Sequence, residues 1–143
     1  MTLDELRQEW DIDTKLDDDL GAAAIKCSIL HAKYLNELIM CKLRLSKIDH
    51  EIAEYRAKKS KYYRGEMTKA ELEENEWQQW QYKTIKSDIH DMIEADSEFQ
   101  KFQTRQSYVK TSIYFLESVL GEIKNRNFSI KSAIDWRRFT SGM

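Results

Sequence analysis

Residues 27–55, CSILHAKYLNELIMCKLRLSKIDHEIAEY, decide the fold class. Cys27, Tyr34, Cys41, Ile48 and Tyr55 recur every seven residues, and His31, Leu38, Leu45 and Ile52 fill the position four later. Side chains at that spacing line one stripe of an α-helix, and a stripe sustained for about four heptads needs a neighbour along its whole length. A second seam follows, with Phe102, Val109, Leu116 and Ile123 seven apart and Phe99, Gln106, Ile113 and Leu120 offset by three. Two seams of one period, in 143 residues with no proline and four glycines, predict an all-α chain. The expected form is a helical hairpin or bundle of long antiparallel helices with a short C-terminal oligomerisation helix. Gln106 is the one polar residue in the second seam, where a buried amide fixes register between helices. Gly121 lies inside the same pattern and marks a close approach or a weak point.

The first seam changes character at its end. Tyr55 to Gly65, YRAKKSKYYRG, holds five cations (Arg56, Lys58, Lys59, Lys61, Arg64), no acid, and the tyrosines Tyr55, Tyr62 and Tyr63. Lys59 takes the next seam position, so the tract is expected to be a helix end projecting past its packing partner and stopped by Gly65. In a chain of net charge −2, so local a concentration of positive charge reads as a binding site. Cations neutralise phosphates and aromatic faces stack on unpaired bases. A solvated helix end with no specific partner is the bland alternative.

The remaining elements are shorter. Thr2 and Glu5 form a capping box ahead of an apolar face of Leu3, Leu6 and Trp10. Asp17, Asp18 and Asp19 precede the long helix, where negative charge suits its positive end, and they lack the spacing of a calcium loop. Thr68 and Glu71 form a second capping box, opening one helix that begins with Glu71, Glu73, Glu74 and Glu76 and carries Trp77, Trp80, Ile85, Ile89, Met92 and Ile93 on its later face. Its acidic start would lie beside the basic tract and mask or neutralise it. Asp96 or Ser97 caps the next helix. Asn127 or Ser129 is expected to cap a last one, with apolar groups on more than one face, which favours self-association. The domain expectation is therefore 1–126 for the helical domain carrying the tract, and 127–143 for an oligomerisation helix.

Several chemistries find no support. The start, MTLDELRQEW, lacks the basic and apolar regions of a signal peptide, and no apolar run is long enough to span a bilayer, so a cytosolic protein is expected. Cys27 and Cys41 sit about 21 Å apart on one helix and read as reduced core residues. His31 lies one turn from Cys27, but no second Cys/His pair completes a metal site, so it reads as a core histidine. His90, Asp91 and Glu94 lack the paired Glu-x-x-His motifs of bundle di-metal sites. There is no phosphate-cradling glycine loop. No catalytic residues, metal or cofactor are expected: the chain reads as a binding protein, not an enzyme.

The C-terminal run IKNRNFSIKSAIDWRRF, with IDTKL (Ile12 to Leu16), AKYLN (Ala32 to Asn36) and the Tyr-Tyr-x-Gly at Tyr62 to Gly65, resembles the UvsY family of recombination mediators of T4-type bacteriophages. The resemblance covers nearly the whole chain and is densest at Ile123, Lys124, Arg126, Phe128, Ile130, Lys131, Asp135, Arg137 and Phe139. The basic segment departs from the family spacing of Lys-x-Arg. The resemblance implies a protein that binds single-stranded DNA without sequence preference and helps a RecA-like recombinase load onto strands coated by single-strand-binding protein. It further implies a ring-like homo-oligomer, six- or seven-fold, acting in the cytoplasm of the infected bacterial host. On this basis Arg56, Lys58, Lys59, Lys61 and Arg64 would hold the sugar-phosphate backbone while Tyr62 or Tyr63 stacks on bases. Lys124, Arg126 and Lys131 form a secondary DNA-binding candidate. Ile130, Ala133, Ile134, Trp136, Arg137 and Phe139 are the oligomerisation candidates. The rival is a helical scaffold or adaptor that binds protein partners only.

Overall fold

The computed structural model describes residues 1–142, and every regular element among them is helical: α1 (Leu3–Asp13), α2 (Leu20–Tyr63), α3 (Lys69–Glu74), α4 (Lys86–Glu94) and α5 (Ser97–Thr140). Two compact units form, Met1–Leu43 with Val109–Met143, and Arg44–Tyr108. Both α2 and α5 pass from one unit into the other without a break.

In the first unit the two long helices run antiparallel. Leu20, Ala23 and Cys27 of α2 pack on Ile130 and Ala133 of α5, while Lys42 Nζ stands 3.9 Å from Glu117. The inward stripe is Cys27, Leu30, Tyr34, Leu38 and Cys41 against Val109, Leu116, Val119 and Ile123, all buried. Each large apolar side chain taken wholly from water contributes about 1.5–3 kcal/mol before entropy is counted. His31 is exposed, correcting its expected place in the core, because Leu30 turns inward in that heptad. Both cysteines are free and buried.

The helix α1 starts with the expected capping box: Thr2 accepts from the Glu5 amide and Glu5 accepts from the Thr2 amide. It is then tied to the long helices. Asp13 accepts from Tyr34 Oη at 2.8 Å and from Lys33 Nζ at 2.6 Å, and Lys33 also donates to Glu9. Burial pushes the Asp13 carboxyl upward, but these bonds from Lys33 and Tyr34 outweigh it and hold it below its ordinary value. Asp19, the last of the three aspartates, caps α2 by accepting from the Gly21 and Ala22 amides.

The second unit packs α2, α4 and α5 around Tyr63, Ile89, Ile93 and Phe99. Gln106, expected as a buried amide in the seam, is half-buried and donates to Asp49 at 2.7 Å at the surface, beside Arg105 at 3.5 Å from Glu51. At the end of α2, the Glu66 amide donates to the Lys61 carbonyl and the Gly65 amide to the Tyr62 carbonyl, with Gly65 at φ +71°. This pair of bonds closes a helix with one left-handed residue.

Two expected elements differ. The acidic helix opening at Thr68 ends after six residues, and a non-helical segment separates it from α4. The same pair of bonds stops it, Trp77 amide to Leu72 carbonyl and Glu76 amide to Glu73 carbonyl, with Glu76 rather than a glycine at φ 57°. The separate C-terminal helix expected from Asn127 or Ser129 does not form either. Those residues lie within α5, because Ile123 and Ile130 continue its inward stripe and hold the helix on course. Residue 143, the end of that expected element, lies outside the described residues.

Candidate nucleic-acid interface

The basic tract occupies the end of α2 and the turn that follows it, with Arg64 and Gly65 beyond the helix, and each cation in it has a partner in the same unit. Arg56 Nη2 donates to Glu94 at 3.2 Å and its guanidinium lies 4.8 Å from the Phe99 ring centroid. Lys58 donates to the Asn75 side-chain carbonyl at 3.2 Å. Lys61 donates to both oxygens of Glu71, at 2.9 and 3.0 Å, and Arg64 pairs with Glu66 at 3.5 Å. The acidic helix thus partly neutralises the tract, through Glu71. That carboxylate accepts from Lys61, and this bond is the main reason it sits below its usual range. Gln103 and Arg56 hold Glu94 low in the same way.

Lys59 is different. Only 8% of it is exposed, and its ammonium sits among four rings, 4.2 Å from Trp77, 5.0 Å from Tyr62, 5.6 Å from Tyr63 and 6.0 Å from Tyr55. Its counter-charge is Asp96 at 3.6 Å, which also accepts from Tyr55 Oη at 2.6 Å and caps α5 through the Phe99 amide. Burial raises the Asp96 carboxyl, yet Tyr55, the Phe99 amide and Lys59 together carry it below its ordinary value. Burial, reinforced by the bond to Asp96, pushes the Tyr55 phenol well above its usual value.

Two sequence expectations are corrected here. The tract does not project past its partners. Lys59 and Tyr63 are interior, because Lys59 continues the inward stripe and Tyr63 packs edge-on to Trp80 at 4.9 Å. Neither presents a face to a strand. Tyr62 is half-buried, donates to the Gln78 carbonyl at 2.6 Å and packs on Trp77 and Trp80. The outer cations Arg56, Lys58, Lys61 and Arg64 remain at the surface.

Sequence reasoning passed over Tyr82. Its ring stands 5.1 Å from Trp80 and is 73% exposed, the outer end of a run of rings that begins at Tyr63. Lys83 and Lys86 beside it are exposed and make no ion pair among the described residues. The signal was present as Tyr-Lys in a polar segment, but the helix assigned there hid it.

The C-terminal candidates divide. Arg126 is half-buried and engaged within the chain, donating to the Asp13 and Thr14 carbonyls and lying 5.6 Å from the Trp10 ring centroid. Lys124 and Lys131 are exposed without ion pairs among the described residues. Of the oligomerisation candidates, Ile130 and Ala133 are used inside the chain, and Arg137 donates to the Asp18 carbonyl. Ile134, Trp136 and Phe139 are exposed, the last two stacked at 5.9 Å. No helix is long and apolar enough to cross a membrane, and no group of three metal-ligating side chains occurs, among the described residues.

Residues 7–143 match the family described as recombination, repair and ssDNA binding protein UvsY. The recombination protein uvsY of Enterobacteria phage T4 is 26% identical over 143 residues, 99% of each chain. A crystal structure of the bacteriophage T4 recombination mediator protein UvsY has a TM-score of 0.86 at 25% identity, covering 99% of this chain and 98% of that one. A second crystal form gives 0.86 at 24% identity, covering 97% and 99%. With nearly its whole length matched and its helical layout shared, this chain belongs to the UvsY family of recombination, repair and single-stranded-DNA-binding proteins.

Proposed function

We propose that the chain binds single-stranded DNA through the outer cations of the tract, Arg56, Lys58, Lys61 and Arg64, and acts by binding rather than by catalysis. The observation that carries this is the exposure of their partners. Glu94, Glu71 and Glu66 are 36%, 34% and 58% exposed at the side chain. An ion pair so wetted contributes at most about 1 kcal/mol, so a phosphate can replace the carboxylate at little cost. Tyr82 supplies a ring for base stacking, worth about 1–3 kcal/mol per base at such sites. Lys124 and Lys131 are the secondary contact.

Four cations give one subunit modest affinity that salt weakens strongly. A ring-like homo-oligomer, six- or seven-fold, makes later contacts intramolecular and raises avidity by orders of magnitude. A strand bent over such a ring fits single-strand-binding protein poorly and favours growth of a RecA-like recombinase filament. That activity belongs in the cytoplasm of the infected bacterial host.

The test is anisotropy of a labelled single-stranded oligonucleotide with wild type and Lys58→Glu/Arg64→Glu. At least ten-fold weaker binding by the variant is expected. The scaffold reading predicts no binding by either protein.

A further inference from the structure

Three of the four outer cations of the tract are held by one short span of chain. Between Gly65 and Glu76, Glu71 accepts from Lys61 at 2.9 and 3.0 Å, the Asn75 side-chain carbonyl accepts from Lys58 at 3.2 Å, and Glu66 stands 3.5 Å from Arg64. Of the outer cations only Arg56 has its partner elsewhere, on α4. Residues 66–75 carry four acids, Glu66, Glu71, Glu73 and Glu74, against Lys69. The span is therefore a short polyanion laid beside a short run of cations. Glu73 and Glu74 are exposed and make no ion pair among the described residues.

Little else fastens this span. None of residues 66–75 is buried, and Met67 and Leu72, its only large apolar side chains, are half-buried. Both flanking residues are left-handed, Gly65 at φ +71° and Glu76 at φ 57°. Beyond them the chain is anchored, by Tyr63 in the core on one side and by Trp77, 4.2 Å from the Lys59 ammonium, on the other. Hinges are a few positions at element ends that absorb a large backbone change, and here two of them bracket a body that buries almost nothing. The helix α3 within it has six residues, far too few to persist alone in water. It keeps its shape only while it lies on the tract.

We infer that the span 66–75 is a tethered competitor of the polynucleotide: it occupies Lys58, Lys61 and Arg64 in the free protein, and a single strand displaces it as a unit, about Gly65 and Glu76. The inference rests on the proposed use of the tract for single-stranded DNA and supplies the regulation of that site. The tether holds the competing groups at high effective concentration, so one phosphate does not displace them. A strand that offers several phosphates at once does. The cover thus makes the tract selective for polynucleotide over nucleotides and inorganic phosphate. Each of its contacts is wet and contributes little singly, which keeps the cover removable.

The test is hydrogen exchange of the full chain, read by mass spectrometry on peptides covering 66–76, free and with a saturating single-stranded oligonucleotide. The strand is expected to speed exchange across the span by about ten-fold or more, with the core of α2 still protected. The same phosphate concentration supplied as thymidine monophosphate is expected to leave the span as it is in the free protein. Affinities separate competition from general charge. Glu71→Gln and the uncharged change Asn75→Ala each cut one tie, and each is expected to tighten DNA binding about two- to five-fold. Glu73→Gln/Glu74→Gln removes more charge but no tie, and is expected to gain less than Glu71→Gln. Slower or unchanged exchange of the span in the complex overturns the proposal. So does release by the mononucleotide, or a gain from Glu73→Gln/Glu74→Gln that equals that of Glu71→Gln. Binding by Lys58→Glu/Arg64→Glu equal to wild type is the separate failure, of the tract as the DNA site, and takes the cover down with it.

Discussion

The ammonium of Lys59 lies 4.2 Å from the centroid of the Trp77 ring and 3.6 Å from Asp96. One cation thus ties the end of α2 to the loop after α3 and to the start of α5. A charge so enclosed is held by its partners, and removing it leaves Asp96 without its counter-charge. Lys59→Ala is expected to cost about 2–4 kcal/mol, read by urea unfolding, with little change in the salt dependence of DNA binding.

Asp96 also sets a pH dependence. Its native carboxyl is held below the ordinary 3.8, so the folded state binds its proton less readily than the unfolded one. The stabilisation is complete above about pH 4 and is lost as pH falls through the depressed native value. Asp13 adds in the same direction. Urea midpoints are expected to fall steeply below about pH 4, and Asp96→Asn is expected to flatten part of that fall. A profile identical to wild type would remove Asp96 as its source.

The two left-handed helix ends make opposite predictions. At Gly65 a side chain is strained whatever the space, so Gly65→Ala is expected to destabilise by about 1 kcal/mol. At Glu76 the strain is already present, so Glu76→Gly is expected to stabilise by up to about 1 kcal/mol. Thermal melts of both variants check the pair.

The long helices were legible because seven-residue periodicity survives over many turns: Cys27 to Tyr55 and Phe102 to Ile123 read directly as the stripes that pack. The break after Glu74 was not legible, since it depends on a left-handed Glu76, a residue type with no preference for that conformation. Continuity of α5 through Asn127 was obscured by local cap signals that Ile123 and Ile130 override through burial. In the tract, five cations gave the charge but not its direction. The seam decides that, and Lys59 sits on it.

The most direct test is the affinity for a short single-stranded oligonucleotide across a salt series, in wild type and in Lys58→Ala/Arg64→Ala. Each lost phosphate contact on a single strand removes about 0.7 from the slope of log affinity against log salt. The double variant is therefore expected to be shallower by about one to one and a half units, with Lys59→Met matching wild type. A slope left unchanged in the double variant would contradict the assignment of the outer tract as the DNA-binding surface.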